Sequence, residues 1–489
     1  MPGGAAAAPY HGGTTVMAVS RRRAVLGLTS ALALTCPLAA APSFAATPRA
    51  ADDPGAAAPV STDPPNIVVF LTDDQPSGVL DVMPNVQAQI QDEGVTFTHA
   101  IVPTPLCSPS RASLLTGKLP NRTSIYGNAA PDGGWQPFHD LGLEQSTLAT
   151  WLNAAGYRTA LVGKYINDYG KLSPPDYVPP GWDRFAGLLQ QHGSYYNYAV
   201  RMKDGNGVRD VFYGKDPQDY STNVLASDAV DIVDSTPDST PLFLMYAPVA
   251  PHDPTTPYPD DLGTVPHVRP TQPDYNERDV SDKPGWLRGL PRQPWPSITR
   301  QIAREKEALR SVDRGVAQII DALGPRADNT LFVFMSDNGN LNGSHRLDGK
   351  AVAYRRSSQV PLIMRWDGHI VARTTDAHVV STVDVTSTIL DAAGVKQPTD
   401  GYSLLATPRR SGAVIEEVAR QAPAYCAWRT RRWLYVQYSH HKGRELYDYN
   451  NDPYELHNLA YDRRYLATMR SMRADARAAC DPTPPGFTW

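Results

Sequence analysis

Hydrophobic residues in this chain gather in short, unbroken runs separated by stretches with helical spacing. Asn66 to Leu71 (Asn-Ile-Val-Val-Phe-Leu) is one such run, Pro241 to Tyr246 a second and Thr330 to Met335 a third. Runs of six with no polar alternation predict strands buried on both faces. Between them the pattern changes period. Ile302, Leu309, Val312, Val316, Ile319 and Leu323 recur at three- and four-residue steps, predicting a helix over 302–323 that Gly324-Pro325 ends. Shorter helices are predicted at 148–155 and 224–233. Strands alternating with helices predict an α/β sandwich around a large, mainly parallel sheet. Near residue 400 the character shifts. Residues 431–438 and 444–449 read as two strands joined through His441-Lys442-Gly443, Asn450 to Pro453 as a turn, and 465–479 as a closing helix. A small antiparallel subdomain is expected there.

The amino-terminal region follows a different logic. Arg21, Arg22 and Arg23 precede an apolar run from Ala24 to Ala41, and Ser43-Phe44-Ala45-Ala46 supplies small residues for cleavage. That order is the one a secretory signal carries, and Ser20-Arg21-Arg22-Arg23-Ala24-Val25 resembles a twin-arginine leader. Met17 is a candidate start. The expected organisation is a leader over 1–45, a flexible Ala/Pro/Asp-rich tether over 46–64, a catalytic domain over 65–400 and the subdomain over 401–489. The mature chain is expected outside the cytoplasm, since no later segment has the length and apolarity to span a bilayer.

Charge and cysteine content narrow the chemistry. Lys and Arg number 46 against 50 Asp and Glu, a net charge of -4, and removing the leader takes away three Arg and no acid, giving -7. With no long basic run, nucleic acid is not an expected partner. The 45 prolines, many between 251 and 296, predict long stiff loops, and that segment reads as a lid or substrate wall. Of the four cysteines, Cys36 leaves with the leader. Cys426 and Cys480 are candidates for a disulfide in an oxidising compartment, which leaves Cys107 over.

Two of the buried runs end in oxygen ligands. Asn66–Leu71 is followed by Thr72-Asp73-Asp74, and Thr330–Met335 by Ser336-Asp337-Asn338. Parallel sheets bind ligands at the carboxyl ends of their strands. Three carboxylates and an amide brought to one edge repel one another unless a cation lies between them. An all-oxygen set without a His/Cys cluster favours Ca2+, or Mg2+, over Zn2+. Either pair alone is as well explained by helix capping, and the repetition is what points to a metal.

The densest chemistry lies in Leu106-Cys107-Ser108-Pro109-Ser110-Arg111-Ala112-Ser113-Leu114-Leu115-Thr116-Gly117. A nucleophile here sits near a helix N-terminus, which favours anions, and Arg111 offers a charged fork suited to a tetrahedral oxyanion. This run resembles the signature of the sulfatase family, Cys-x-Pro-Ser-Arg followed by an apolar stretch and Thr-Gly. The resemblance implies an alkaline-phosphatase-like sandwich. It further implies conversion of Cys107 to formylglycine by a formylglycine-generating enzyme. One hydroxyl of the hydrated aldehyde attacks sulfur, and the other later expels sulfate by re-forming the aldehyde.

The likeness extends from Asn66 into the C-terminal subdomain. Asp73, Asp74, Asp337 and Asn338 match the family's metal ligands, usually of Ca2+, with residue 107 completing the set. Gly156 to Tyr165 matches the second signature and makes Lys164 the sulfate-contacting lysine. Pro251-His252-Asp253-Pro254 matches the stretch with an active-site histidine, a candidate to protonate the leaving oxygen, and Lys350 matches a later lysine that assists it. Many sulfatases follow the lysine of the second signature with Trp-His. Here Tyr165-Ile166-Asn167 follows, so Asn167 replaces the histidine or the role is vacant. His345 is a candidate pocket residue or a surface-loop histidine. Residues 163–170, Pro180-Gly181-Trp182 and Tyr195 to Tyr198 resemble the branch containing N-acetylglucosamine-6-sulfatases.

The resemblance therefore implies hydrolysis of sulfate esters of sugars or aryl alcohols. Two other readings compete: a phosphoester or phosphonate ester hydrolase of the same superfamily, and a sulfated-glycan binder whose cysteine is never matured.

Overall fold

A computed structural model describes residues 63–189, 195–407 and 409–489. The leader, and all but the last two residues of the tether, lie outside the described residues.

Eleven strands build the large sheet: β1 (Asn66–Thr72), β2 (Val95–Ile101), β3 (Arg158–Gly163), β4 (Arg184–Leu188), β5 (Tyr198–Asp204), β6 (Gly207–Tyr213), β7 (Leu242–Ala247), β8 (Thr330–Ser336), β9 (Gln359–Val360), β10 (Leu362–Arg365) and β11 (Thr374–Ser381). Their order is β11-β2-β10-β8-β1-β7-β3-β4-β5-β6, with β9 paired to β2. The middle of the sheet, β8-β1-β7-β3-β4, is parallel throughout. Antiparallel β5 and β6 extend one edge, and antiparallel β10 sits between β8 and β2, so the sheet is mixed around a parallel centre.

The unbroken apolar runs are these central strands, and every residue of β1, β7 and β8 is buried. Alternation inside a run splits its side chains between two cores. Ile67, Val69 and Leu71 pack with Leu114 and Leu115 of the Cys107–Thr116 helix and with Val385 and Ile389 of the Thr382–Ala392 helix. Val68 and Phe70 face the other way, onto Leu225 and Ala229 of the Ser221–Asp234 helix and Leu309 and Val312 of the Trp295–Leu323 helix. Each such side chain contributes about 1.5–3 kcal/mol relative to exposure, which explains why no polar residue interrupts the strands. Helix, sheet and helix form three layers.

The long helix begins at Trp295, two turns before the position expected from its apolar spacing. Pro296 lies in its first turn, where proline's missing N–H breaks no hydrogen bond.

The C-terminal region holds four antiparallel strands where two were expected: β12 (Ala413–Glu417), β13 (Tyr425–Arg429), β14 (Trp433–Tyr438) and β15 (Arg444–Asp448), in sequential order. The helix Leu466–Ala479 closes it, and a disulfide joins Cys426 to Cys480 with Cα atoms 6.4 Å apart. Cys107 is free and buried. No helix among the described residues is long and apolar enough to cross a membrane.

Candidate active site

The site is assembled by strand register. Thr72 pairs with Ser336, so the chain leaves β1 and β8 in phase and delivers Asp73-Asp74 beside Asp337-Asn338. Backbone bonds carry the pairing past the strand ends: Asp337 N–H donates to Thr72 O at 3.1 Å, and Asp73 N–H to Ala250 O at 3.3 Å. Asp74 then turns with φ +70°, a left-handed geometry that a short polar side chain tolerates. Its N–H donates to Asp337 Oδ1 at 3.1 Å. On the other side of β7, Gly163 ends β3 and brings Lys164. Gly163 has φ +116°, and a Cβ there would lie 2.1 Å from Ala247 O, so only glycine allows this approach.

Cys107 is the first residue of its helix and is completely buried. Its Sγ lies 3.5 Å from Asp73 Oδ1 and 2.9 Å from Lys350 Nζ. Ligand atoms of Asp73, Asp74, Cys107 and His252 all fall within 4.8 Å of one another. Arg111, one turn along the same helix, donates through Nε to Asp337 Oδ2 and through Nη1 to Lys164 O, both at 2.8 Å. Its Nη2 is buried, 3.8 Å from Asp73 Oδ2, with no hydrogen-bond partner among the described residues. All nine residues singled out from the sequence thus gather at one end of the sheet's parallel centre.

Each acid has its own cation. Lys164 Nζ sits 2.5 Å from Asp73 Oδ2, Lys350 is bonded to Asp74, and Arg111 pairs with Asp337. Burial opposes ionisation of Asp73 and Asp74, but Lys164 at the first and Lys350 at the second, helped by His252, outweigh it and hold both below the ordinary carboxylate value. Burial likewise disfavours the charged lysines, and Asp73 and Asp74 reverse this, raising Lys164 and Lys350. His252 Nε2 lies 3.7 Å from Asp74 Oδ2, and its side chain is 18% exposed. Burial would lower its pKa, but Asp74 and then Asp73 push it up to about 9.

The donor set suits a hard cation. Asn338 donates its amide Nδ2 to Asp74 Oδ1 at 2.6 Å, while its Oδ1 is buried with no hydrogen-bond partner among the described residues. A buried carbonyl oxygen without a donor, beside three carboxylates, fits an oxygen-coordinated divalent ion.

Sequence reasoning did not supply several of the contacts that support the cluster. Asn128 Oδ1 accepts the Ser108 N–H at 2.9 Å and so caps the Cys107–Thr116 helix from another loop. Tyr195 OH donates to His252 O at 2.9 Å, fixing the histidine's backbone. Neither contact leaves a local signal. Asn167, in the second-signature histidine's place, accepts from the Oγ of Ser108, the residue after Cys107, at 3.0 Å. His345 is neither a surface-loop residue nor open to solvent. It is fully buried, with Nδ1 2.6 Å from Glu277 Oε2 and Nε2 3.6 Å from Glu455 Oε2. Its φ of +51° turns it inward, and two carboxylates neutralise it there.

The fold and this cluster define an α/β protein with a buried, oxygen-rich cluster of paired charges at the carboxyl edge of its parallel centre. Residues 65–395 match the sulfatase family model, and the chain belongs to that family. It is 33% identical over 364 residues to human (Homo sapiens) N-acetylglucosamine-6-sulfatase, covering 70% of this chain and 64% of that protein. It is also 33% identical over 360 residues to a Drosophila melanogaster extracellular sulfatase SULF-1 homolog, covering 70% of this chain but 31% of the relative. The chain thus spans about a third of one of these relatives and just under two thirds of the other. A solved protein in complex with its substrate D-glucosamine-2-N,6-O-disulfate shares the fold at a TM-score of 0.71 and 22% identity, covering 86% of this chain and 99% of that one.

Proposed function

We propose that this chain is a formylglycine-dependent sulfuric ester hydrolase acting on sulfated sugars of the glucosamine 6-sulfate type. The observation that carries the reading is the buried Cys107 thiol at a helix N-terminus, in contact with Asp73 and Lys350 and closed in by three acid–cation pairs. The relatives named for N-acetylglucosamine 6-sulfate, and the solved complex with a 6-O-sulfated glucosamine, support the sugar assignment.

Asp73, Asp74, Asp337 and Asn338, with residue 107, would hold a divalent ion, Ca2+ by preference for an all-oxygen set. When present, the ion and the formylglycine hydrate supply charge neutralisation at the sulfate oxygens and the attacking hydroxyl. The chain's own groups do the rest. Arg111 is held rigid by Asp337 and Lys164 O, so its unpartnered Nη2 is preorganised for an oxyanion. Lys164 and Lys350 stay charged beside their acids and face the same anion. His252, at the partly open side of the pocket, donates the proton that the leaving sugar oxygen needs.

The decisive test is mass spectrometry of the peptide around residue 107 in protein made together with a formylglycine-generating enzyme, combined with assays on aryl sulfate and aryl phosphate. Conversion of the thiol and preference for the sulfate are expected. Unmodified thiol throughout, or preference for phosphate, contradicts the reading. Export through a twin-arginine leader, with cysteine oxidation before the chain has folded and left the cytoplasm, belongs to the same proposal.

A further inference from the structure

The carboxyl edge of the large sheet carries a second concavity. A groove of about 520 Å3 is walled by residues 77–79 after β1, residues 268–272, 274 and 275 after β7, Ile302 and Lys306 of the Trp295–Leu323 helix, Arg355 and Arg356 after β8, and residues 453–455. It adjoins the catalytic cluster along two segments. Ser77 follows Asp74 by three residues, a reach of at most about 11 Å. Arg356 O lies so near Gly339 that a Cβ there would sit 2.0 Å away, and Gly339 directly follows Asn338.

The groove's charge runs against that of the chain. Arg269, Lys306, Arg355 and Arg356 line it against only two acids, Asp274 and Glu455, in a protein of net charge -4. Arg356 is committed to Asp274, and Lys306 pairs with Asp81 at 2.7 Å. Glu455 already accepts the Arg355 N–H at 3.0 Å and the Tyr449 hydroxyl at 2.5 Å. Arg269 and Arg355 form no ion pair among the described residues. The Arg269 guanidinium lies 5.0 Å from the centre of the Trp295 ring, a contact that steadies the fork without using its N–H groups. Two arginines that line the groove and hold no carboxylate partner among the described residues suit an oxyanion.

We propose that this groove is a second anion subsite, which holds a sulfate or carboxylate of a neighbouring residue in a polysulfated saccharide while the reacting ester lies at Cys107. The inference rests on the sulfatase reading and sharpens it: the preferred substrate is longer than one sugar. A free oxyanion has the same chemistry, and the test separates the two sources.

Wild type, Arg269→Ala and Arg269→Ala/Arg355→Ala are compared on an aryl sulfate and on a glucosamine-containing tetrasaccharide sulfated on every residue. Turnover of the aryl sulfate is expected to stay within about twofold in all three. KM for the tetrasaccharide rises roughly three- to tenfold in the double variant, and its dependence on salt becomes shallower. An unchanged tetrasaccharide KM at low salt, or an equal loss on both substrates, overturns the proposal. So does inorganic sulfate that alters aryl sulfate turnover in wild type but not in the double variant while tetrasaccharide KM stays put, since the site then serves a free anion. Arg269 is exposed on a loop, so its single variant tests the groove without threatening the fold. Calorimetric binding of the tetrasaccharide to protein still carrying the Cys107 thiol reads the groove without turnover. A wild type that cleaves no sulfate ester therefore sinks the catalytic reading, and the groove still stands or falls on binding weakened, or not, in the double variant.

Discussion

Carboxylates are buried in two regions of this chain and meet opposite fates. At the carboxyl edge of the large sheet, Asp73 and Asp74 lose their water but face Lys164 and Lys350, and both are held below their ordinary value of 3.8. In the C-terminal sheet, Glu416, Glu417 and Glu445 are buried just as fully. There the partners are mostly neutral. Glu416 accepts the Asn121 N–H at 2.8 Å, and Glu445 is ringed by the hydroxyls of Tyr354, Tyr438 and Tyr447 at 2.6, 2.9 and 3.0 Å. Glu417 has Arg420 at 3.2 Å, a side chain still 31% exposed. Burial wins, pushing Glu416 and Glu417 up to about 8 and raising Glu445. Desolvation is common to both regions, and the partner decides whether the charge survives it. The acids of the cluster carry their own cations, whereas Glu416 and Glu417 are pushed up to about 8 because nothing there outweighs burial.

The largest test of this contrast is Cys107→Ala, which leaves every charge pair in place and removes only the nucleophile. Aryl sulfate turnover is expected to fall at least roughly 10^4-fold while the melting temperature barely moves. Normal turnover in that variant would refute the proposed chemistry. Next comes Asp73→Ala. It strands Lys164 and part of Arg111 in a dry interior, and denaturant unfolding should show a loss of about 3–5 kcal/mol. A change near zero would mean that the pairs are not balancing one another. A smaller effect is expected from Asn338→Ala, whose Ca2+ affinity by calorimetry should drop about 10–100-fold. Equal affinity would remove Asn338 from the ligand set.

The smallest effect probes the other region. Glu416 titrates at about 8 when folded, above its unfolded value near 4.5. The folded state therefore holds more protons across that window, and this group's contribution to stability is lost as pH rises from about 4.5 to about 8. Glu416→Gln keeps the acceptor and removes the titration. The variant should match wild type near pH 4 and exceed it by a growing margin as pH rises towards 8. Parallel stability curves would show that Glu416 is ionised after all. Asp73 and Asp74 have the opposite sign, and their contribution is lost as pH falls below about 3.8.

Much of the frame was legible along the chain. β1, β7 and β8 announce themselves because strands covered on both faces must be apolar without interruption. The Trp295–Leu323 helix was recognisable from its stripe, though not its start, since Pro296 reads locally as a breaker while the first turn accepts it. β12 and β13 were missed. Glu416 and Glu417 interrupt the first of them, and no local pattern tells that a subdomain will bury both. His345 misled because a Gly-Ser-His-Arg loop looks solvated until Glu277 and Glu455 close over it.

By itself the chain's order of residues determined which chemistry was on offer: a cysteine at a helix start, acids after two buried strands and a lysine after a third. Those are local facts, governed by periodicity, turn propensity and adjacency. Only the tertiary structure decided that Thr72 stands opposite Ser336, that Lys164 serves Asp73 while Lys350 serves Asp74, and that Asn128 caps the helix starting at Cys107. Of these pairings, Lys350 with Asp74 joins residues 276 positions apart. At that separation, packing and the need to satisfy every buried charge select the partner, and neither is written in any short window of sequence.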